Sequence, residues 1–286
     1  LAGIIPLANL KTEFELRTPE VLLPVGKNFT AIQKSVFECA LAGCNTIWIV
    51  ANDDLAPVIR EVVGDWTYDP VYYNRMSKFK SQERKEIPIY YVPIHPKDRD
   101  RRDSYGWSIL HGIHSAWRVA YNISHWLTPE KYFVTFPMAV YDIYMLREHR
   151  QQISSKNSNL FVSYEDRTIK DNLLLPFTMT GDDFKRCRRQ VNKKTTREFL
   201  SPEANEKYPS ERLGIEERWS ARHFELKDIF GEVQDEQAFD VCIDWYCDIS
   251  TWSGYRNFLG STNSVETPPK ALTSAHRHVM IPYKED

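Results

Sequence analysis

The chain has 286 residues, and its 37 basic and 39 acidic side chains leave a formal net charge of −2, so no overall field attracts it to nucleic acid or to anionic lipid. The composition is 42% apolar and 27% charged, with 8 Trp, 15 Tyr and 14 Phe, which excludes a disordered chain. The length allows one large domain or two ordinary ones, each with a sizeable core.

Membrane and disulfide classes are not indicated either. No run reaches the roughly 18 apolar residues that a membrane-spanning helix needs, and the first residues lack the basic flank of a signal peptide. We therefore expect a cytoplasmic protein without a membrane partner. The cysteines are odd in number and show no CxxC spacing, which predicts reduced core thiols instead of a disulfide framework or a zinc site. They are Cys39, Cys44, Cys187, Cys242 and Cys247.

Strand and helix patterns alternate through the first half of the chain. Apolar and β-branched runs predict strands at Gly3–Ala8, Val21–Val25, Thr46–Val50, Ile87–Ile94 and 131–136. Apolar residues at helical spacing predict helices at 32–41, ended by Gly43, and at Asp54–Val63, Tyr105–Ile123 and Asp142–Gln152. The alternation favours an α/β fold with a central mixed, mainly parallel sheet flanked by helices.

The second half has a less regular pattern. Strands are predicted at Leu160–Tyr164, Leu173–Met179 and Phe239–Tyr246, a basic helix at Gly181–Lys193, and a helix around Thr251–Phe258. The Ser-, Thr- and Pro-rich segment 261–270 is typical of a linker.

The segment after the first strand is the first place to look for a ligand, because ligands in open α/β sheets bind beyond the carboxyl ends of the strands. It reads LANLKTEFELRTPEVLLPVGKNF. Here the chain resembles the sugar-phosphate nucleotidyltransferases of the GT-A-like fold, whose signature is approximately LAAGxGTR, then PKxLLPVxGKP and a helix. The matching positions are Leu7, Ala8, Thr12, Pro19, the LLPV run at 22–25, Gly26 and Lys27.

Two weaker likenesses follow. The sequence SYGWSIL at 104–110 is similar to a GTAxAL motif through Gly106, and CDISTW at 247–252 resembles a late DIDTPEDY-type motif. The resemblance implies one nucleotidyltransferase-like domain, with a nucleotide-binding-like half (1–153), an irregular acceptor-side half (154–260) and a linker and tail (261–286). It also implies that a nucleotide would contact Leu7, Ala8, Lys11, Thr12, Lys27 and Gly106, and that Asp248 would hold Mg²⁺.

The same segment departs from the family where charge matters. In the family, loop glycines bring backbone amides to the phosphates, an Arg and a Lys neutralise them, and two Asp hold Mg²⁺. In this chain Asn9 and either Leu10 or Lys11 take the glycine positions. Glu13 stands in place of the Arg and Glu20 in place of the Lys. The repulsion between one such carboxylate and a phosphate charge about 4 Å away costs about 4 kcal/mol, even at an effective dielectric constant near 20.

The predicted metal site also lacks one of the family's two aspartates. The middle aspartate should follow the FVTF strand, but the chain continues with Phe136-Pro137-Met138-Ala139-Val140 and has no carboxylate before Asp142. Asp248 alone is a poor magnesium site, since Mg²⁺ needs near-octahedral oxygen coordination. The 11 glycines, about 4% against the usual ~7%, also weigh against phosphate-cradling loops.

Three functions are compatible with these residues. The first is a diverged homologue without orthodox catalysis, which binds a nucleotide or sugar ligand or assembles with other proteins. The second is an active nucleotidyltransferase that joins an NTP to a sugar phosphate, with Lys11 and Lys27 on the phosphates and Asp248 on Mg²⁺. The third is glycosyl transfer, which usually needs a DxD motif; the only candidate, DRD at 98–100, lies in a charged loop. The aromatic content and eroded motif suggest a phage-encoded homologue in the cytoplasm of a host cell.

Other polar clusters have ordinary interpretations. His111 and His114 (i, i+3), His125, His276 and His278 could hold a metal, but without HExxH we expect hydrogen-bonded or surface histidines. The basic run 185–189 with Lys193 and Lys194 could contact nucleic acid, although a solvated helix face is expected and nucleic acid is not the predicted partner. An aromatic cluster could bind a sugar, but core packing is expected. Its members are Trp245, Tyr246, Trp252, Tyr255 and Phe258.

Overall fold

The computed structural model describes residues 1–8, 10–71, 85–94, 105–155, 158–197, 225–234 and 238–266. The strands are β1 (Ala2–Pro6), β2 (Pro24–Gly26), β3 (Phe29–Thr30), β4 (Thr46–Val50), β5 (Trp66–Tyr68), β6 (Glu86–Val92), β7 (Lys131–Val134), β8 (Ala139–Val140), β9 (Leu160–Ser163), β10 (Phe177–Thr180), β11 (Phe239–Cys242) and β12 (Cys247–Asp248). The α-helices are α1 (Ala31–Ala42), α2 (Ala56–Val63), α3 (Tyr105–Ile123), α4 (Met145–Glu148), α5 (Arg150–Ser154), α6 (Gly181–Arg197), α7 (Leu226–Phe230) and α8 (Trp252–Gly260).

The described strands form one large sheet and two small ribbons. The large sheet has the order β11-β9-β10-β7-β1-β4-β6-β5. Its centre, β7-β1-β4-β6, is parallel, whereas β10 is antiparallel to both of its neighbours and β5 is antiparallel to β6. The ribbons pair β2 with β3 and β8 with β12. The predicted mixed, mainly parallel sheet flanked by helices is confirmed.

Helices cover both faces of this sheet, so its central strands are buried on both sides. Side chains alternate along a strand: Ile5 of β1 belongs to the core layer that includes α1 and α2, and Ile4 belongs to the layer on the other face, which includes α3 and α6. β4 repeats the pattern, with Ile47 and Ile49 on the first face and Trp48 on the second. This explains why the strands read as continuous apolar runs.

Helix α1 has clear signals at both ends. The Thr30 side chain accepts a hydrogen bond from the Gln33 amide while the Gln33 side chain accepts one from the Thr30 amide, which forms a capping box. At the other end Gly43 adopts φ +89°, the left-handed conformation that favours glycine. The predicted stop at Gly43 is confirmed.

Several predicted boundaries are wrong, mostly in short or irregular segments. The predicted strand at Val21–Val25 is a 3-10 helix at Glu20–Leu22 followed by β2. The predicted helix at Asp142–Gln152 is two short helices, α4 and α5. The predicted strand at Phe239–Tyr246 ends at Cys242, because the chain then turns to form the separate ribbon strand β12.

Two of the cysteines also differ from expectation. Cys39, Cys44 and Cys187 are buried free thiols, as predicted, but Cys242 is exposed and Cys247 is half-buried. They flank the turn between β11 and β12, where the chain leaves the large sheet. Among the described helices, none combines the length and the apolar character that crossing a bilayer would require.

Helix α3 approaches the sheet closely at a glycine. A Cβ atom added to Gly112 would lie 2.6 Å from Cγ2 of Val50 and 3.0 Å from Cγ2 of Ile4. Both neighbours belong to buried central strands that cannot move aside. The contact distance between α3 and the sheet therefore depends on the absence of a side chain at this position.

We expect Gly112→Ala to lower the free energy of unfolding by about 1–2 kcal/mol, because the cost of overpacking exceeds the gain in helix propensity. Urea denaturation measures the change. Gly260→Ala is the matched control, since nothing lies within 4 Å of its added Cβ, and it should be neutral or slightly stabilising. Equal effects of the two substitutions would contradict this packing account.

Candidate functional site

The loop that follows β1 uses its backbone amides inside the protein. The amides of Leu7 and Ala8 both donate to the carbonyl of Val50, at 2.8 and 2.9 Å. The Leu10 amide donates to Leu7 O at 3.3 Å, and the Glu13 amide donates to Ser250 O at 2.9 Å. Asn9 lies outside the described residues. Amides that already have carbonyl partners cannot also cradle a phosphate without breaking those bonds.

The first turn of α3 holds the same loop from the other side. The Tyr105 hydroxyl donates to Pro6 O at 3.0 Å, and the Ser108 hydroxyl donates to Ala8 O at 2.8 Å. Between them, Gly106 is buried; an added Cβ would lie 2.4 Å from Cδ1 of Ile229. The structure thus brings Leu7 and Ala8 next to the helix start that carries Gly106, and it uses this glycine for close packing between α3 and α7.

The remaining nucleotide-contact candidates are surface groups of mixed charge. Lys11 is exposed and Thr12 is half-buried on the loop after β1, and Lys27 is exposed in the turn between β2 and β3. Within the described part of the chain, neither lysine makes an ion pair. Glu13 is exposed and Glu20 half-buried, so the carboxylates predicted from sequence to replace the family's cations do reach the surface.

Helix α8 closes over the loop through aromatic contacts. Phe14 is buried and packs edge-on against Trp252, with ring centroids 4.6 Å apart, and against Tyr255 at 6.3 Å. The Tyr255 hydroxyl donates to Pro24 O at 3.1 Å. Tyr255 and Phe258 belong to the core, as predicted, but Trp252 is 53% exposed and does not.

Asp248, the predicted metal ligand, stands at the carboxyl edge of the sheet on strand β12. Its residue pairs with Ala139 of β8, and its Oδ1 accepts a hydrogen bond from the Ser250 amide at 2.9 Å. It is half-buried. Burial and, to a smaller degree, the nearby Asp248 carboxylate raise the pKa of the Tyr105 hydroxyl, which places Asp248 close to the start of α3.

The strand opposite Asp248 offers it no acidic partner. The segment 135–141 that follows β7 is buried throughout and contains no carboxylate. Asp142 is exposed, and its Oδ1 accepts from the Tyr144 amide at 3.0 Å. In the ranges that the structure describes, no group of three or more His, Cys, Asp or Glu side chains is placed to hold a metal ion. The residues present do not fit a two-carboxylate magnesium site.

A buried ion pair that was not predicted from the sequence holds the segment 135–141 in place. The Lys34 ammonium lies 2.7 Å from Glu38 Oε1 and donates to Ala139 O at 2.5 Å and to Phe136 O at 3.4 Å. Glu38 also accepts a hydrogen bond from the Thr135 hydroxyl. Both charged side chains are fully buried. Burial lowers the pKa of Lys34, and Glu38 opposes that shift.

Most of the other polar candidates have structural partners or lie outside the described residues, whereas Arg188 of the basic run forms no ion pair with a described residue. His111 Nε2 lies 3.1 Å from Pro93 O, and the His114 ring stacks on Trp117 with centroids 6.1 Å apart. In the basic run, Lys185 pairs with Asp182 and Arg186 with Asp183. His276, His278 and the DRD segment at 98–100 fall outside the description, as does the linker beyond residue 266.

We expect Lys34→Met to lower the free energy of unfolding by about 3–5 kcal/mol, because it leaves the Glu38 carboxylate buried without a counter-charge. Chemical denaturation followed by circular dichroism measures the loss. The double variant Lys34→Met with Glu38→Gln removes both charges and keeps an acceptor for Thr135, so it should recover at least half of that loss. A double variant no more stable than the single one would show that the unpaired charge is not the cause.

Two solved structures share this arrangement of strands and helices. One is a putative glucose-1-phosphate thymidylyltransferase from Bacillus anthracis in complex with sucrose, with a TM-score of 0.52 and 10% identity over 93% of this chain and 97% of that one. The other is a UDP-glucose pyrophosphorylase complexed with UDP-glucose, with a TM-score of 0.51 and 14% identity over 90% of this chain and 96% of that one. No family model and no curated protein matches the sequence. At these identities the likeness concerns the fold, and the chain has the fold of the sugar-phosphate nucleotidyltransferases.

Proposed function

We propose that this chain is a binding protein with a nucleotidyltransferase fold, which takes a ligand at the carboxyl edge of its sheet without magnesium-dependent nucleotidyl transfer. The observation that carries the proposal is the environment of Asp248. This carboxylate faces a segment, 135–141, that is buried and free of acids. A single carboxylate, already bonded to the Ser250 amide, gives Mg²⁺ too few oxygen ligands.

The loop after β1 supports the same proposal. Phosphate sites are built from free backbone amides and cations, but the amides of Leu7, Ala8 and Glu13 have internal acceptors. The charged groups at the surface of this segment balance, with Glu13, Glu15 and Glu20 against Lys11, Arg17 and Lys27. The segment therefore carries no net positive charge to attract a triphosphate. A ligand without a phosphate cluster fits this edge better than Mg-NTP does.

An uncharged sugar is the ligand class that we favour. The Trp252 ring is 53% exposed beside the loop after β1, and an exposed indole offers an apolar face against which the C–H groups of a sugar ring can pack. One structural neighbour was solved with sucrose and another with UDP-glucose. Protein partners, a phage source and a cytoplasmic location stay predictions from the sequence.

Ligand-dependent thermal unfolding and pyrophosphate release test this proposal together. We expect UTP with Mg²⁺ to leave the melting temperature unchanged and to release no pyrophosphate with glucose 1-phosphate, whereas sucrose or glucose should raise the melting temperature. Trp252→Ala should abolish the sugar-dependent rise.

Turnover would favour the alternative, an active nucleotidyltransferase. Pyrophosphate release that disappears in Asp248→Asn but persists in Asp142→Asn would contradict our proposal and identify Asp248 as a metal ligand. Asp142→Asn is the matched control because its carboxylate is exposed and follows the same buried segment.

Charge reversal at Glu13 and Glu20 tests whether these two carboxylates weaken nucleotide binding. We expect Glu13→Arg with Glu20→Lys to bind UTP at least tenfold more tightly than the original chain, because two anions facing the phosphates become cations. Calorimetry at low ionic strength measures the difference. Glu15→Arg with Glu61→Lys replaces two exposed acids and changes the net charge by the same amount, so it is the control for net charge; an equal gain from it would show that position does not matter.

A further inference from the structure

A column of aromatic rings runs along the outer face of α3 and beyond its end. The His114 ring stacks on Trp117 with centroids 6.1 Å apart, and Trp117 stacks on Tyr121 at 5.0 Å with planes 24° apart. His125 continues the column edge-on to Tyr121 at 4.1 Å. From His114 to Tyr121 the column covers about 10 Å, at 1.5 Å per helical residue.

These rings are not part of the core. Trp117 is 38% exposed and Tyr121 is 43% exposed, while the adjoining Trp126 is 96% exposed with both faces of its indole free. Helix α3 begins beside Pro6, at the carboxyl end of β1. It therefore ends near the opposite edge of the sheet, away from Asp248.

Two arginines lie beside this column. Burial is the main cause that lowers the pKa of His114, and the positive charges of Arg188 and Arg118 lower it further. Both guanidinium groups therefore lie near that ring. Arg118 follows His114 by one helical turn on α3. Arg188 follows Phe184 by one turn on α6, and the Phe184 ring lies 6.4 Å from His114.

Both arginines add positive charge to this surface. Neither Arg118 nor Arg188 forms an ion pair or hydrogen bond with another described residue. Asp182, an exposed acid at the start of α6, is already paired with Lys185 at 2.9 Å. The surface thus combines the free indole of Trp126 with two arginines that have no ion-pair partner among the described residues, although the whole chain carries a net charge of −2.

We propose that this surface, formed by His114, Trp117, Arg118, Tyr121, Trp126 and Arg188, binds single-stranded nucleic acid. Bases stack on aromatic side chains without regard to sequence, and arginines beside them contact the phosphates. The free indole of Trp126 is the stacking platform, and Arg118 and Arg188 supply the charge complementarity. This site is independent of the function proposed for the Asp248 edge.

Fluorescence anisotropy with a labelled oligothymidylate of about 16 nucleotides tests the site on the full chain. We expect binding at about 50 mM salt that weakens steeply towards about 200 mM. Trp126→Ala should weaken it about 5- to 100-fold, the range found when one stacking aromatic is removed. This residue is almost fully exposed, so its replacement leaves the fold intact.

The arginines have a separate signature. Each of Arg118→Gln and Arg188→Gln should reduce the slope of log K against log salt by about 0.7, since each removes one phosphate contact. Arg256→Gln, an exposed arginine on α8, is the matched control and should leave the slope unchanged.

Other partners give distinguishable outcomes. Ile123 and Leu127 are also exposed, at 69% and 60%, so vesicles of mixed anionic and zwitterionic lipid and sedimentation equilibrium belong in the same experiment. Failure to bind the oligonucleotide at low salt overturns the proposal. Binding that is indifferent to Trp126 and both arginines overturns it as well, and so does a Trp126-dependent association with vesicles or with a second copy but not with the oligonucleotide.

Discussion

The candidate site depends on an ammonium group that no ligand can reach. Lys34 lies fully buried between Glu38 and the carbonyls of Phe136 and Ala139. Ala139 belongs to β8, which pairs with the strand that carries Asp248. One internal ion pair therefore connects helix α1 to the segment after β7 and, through it, to the strand that carries Asp248. Such a buried pair is costly to break on one side, because the remaining charge stays desolvated.

The same inward orientation recurs around the loop after β1. Its amides donate to Val50 and Ser250, and the hydroxyls of Tyr105 and Ser108 donate to its carbonyls. Polar groups that would face a phosphate in a nucleotide site here stabilise the backbone. The charged groups left at the surface are of both signs, and the half-exposed Trp252 lies beside them. The chain has the nucleotidyltransferase fold, and a fold alone does not determine function.

Much of the architecture could be predicted from the sequence because its central elements have strong periodicity. β1, β4, β7, α1 and α3 are long or fully apolar, and their bounds agree with the predicted ones within a few residues. Short strands such as β2, β8 and β12 were not predicted with their observed bounds, because two or three residues show no periodicity in hydrophobicity. Their pairing depends on other parts of the chain.

The site was predictable only in part. The signature residues pointed to the loop after β1, which stays a prediction of the site, and the exchange of cations for Glu13 and Glu20 was visible in the sequence. The use of the loop amides was not visible, since backbone hydrogen bonding leaves no mark on residue identity. Lys34 and Glu38 did give a signal: two opposite charges one turn apart in a mainly apolar helix indicate a buried pair.

Our proposal requires that this edge of the sheet hold no magnesium site. Binding of Mn²⁺, a paramagnetic substitute for Mg²⁺, is the measurement that decides it. Electron paramagnetic resonance of Mn²⁺ with UTP would be recorded with and without the protein. The account predicts the same spectrum in both samples. A loss of the free Mn²⁺ signal on adding the original protein, but not on adding Asp248→Asn, would contradict the account.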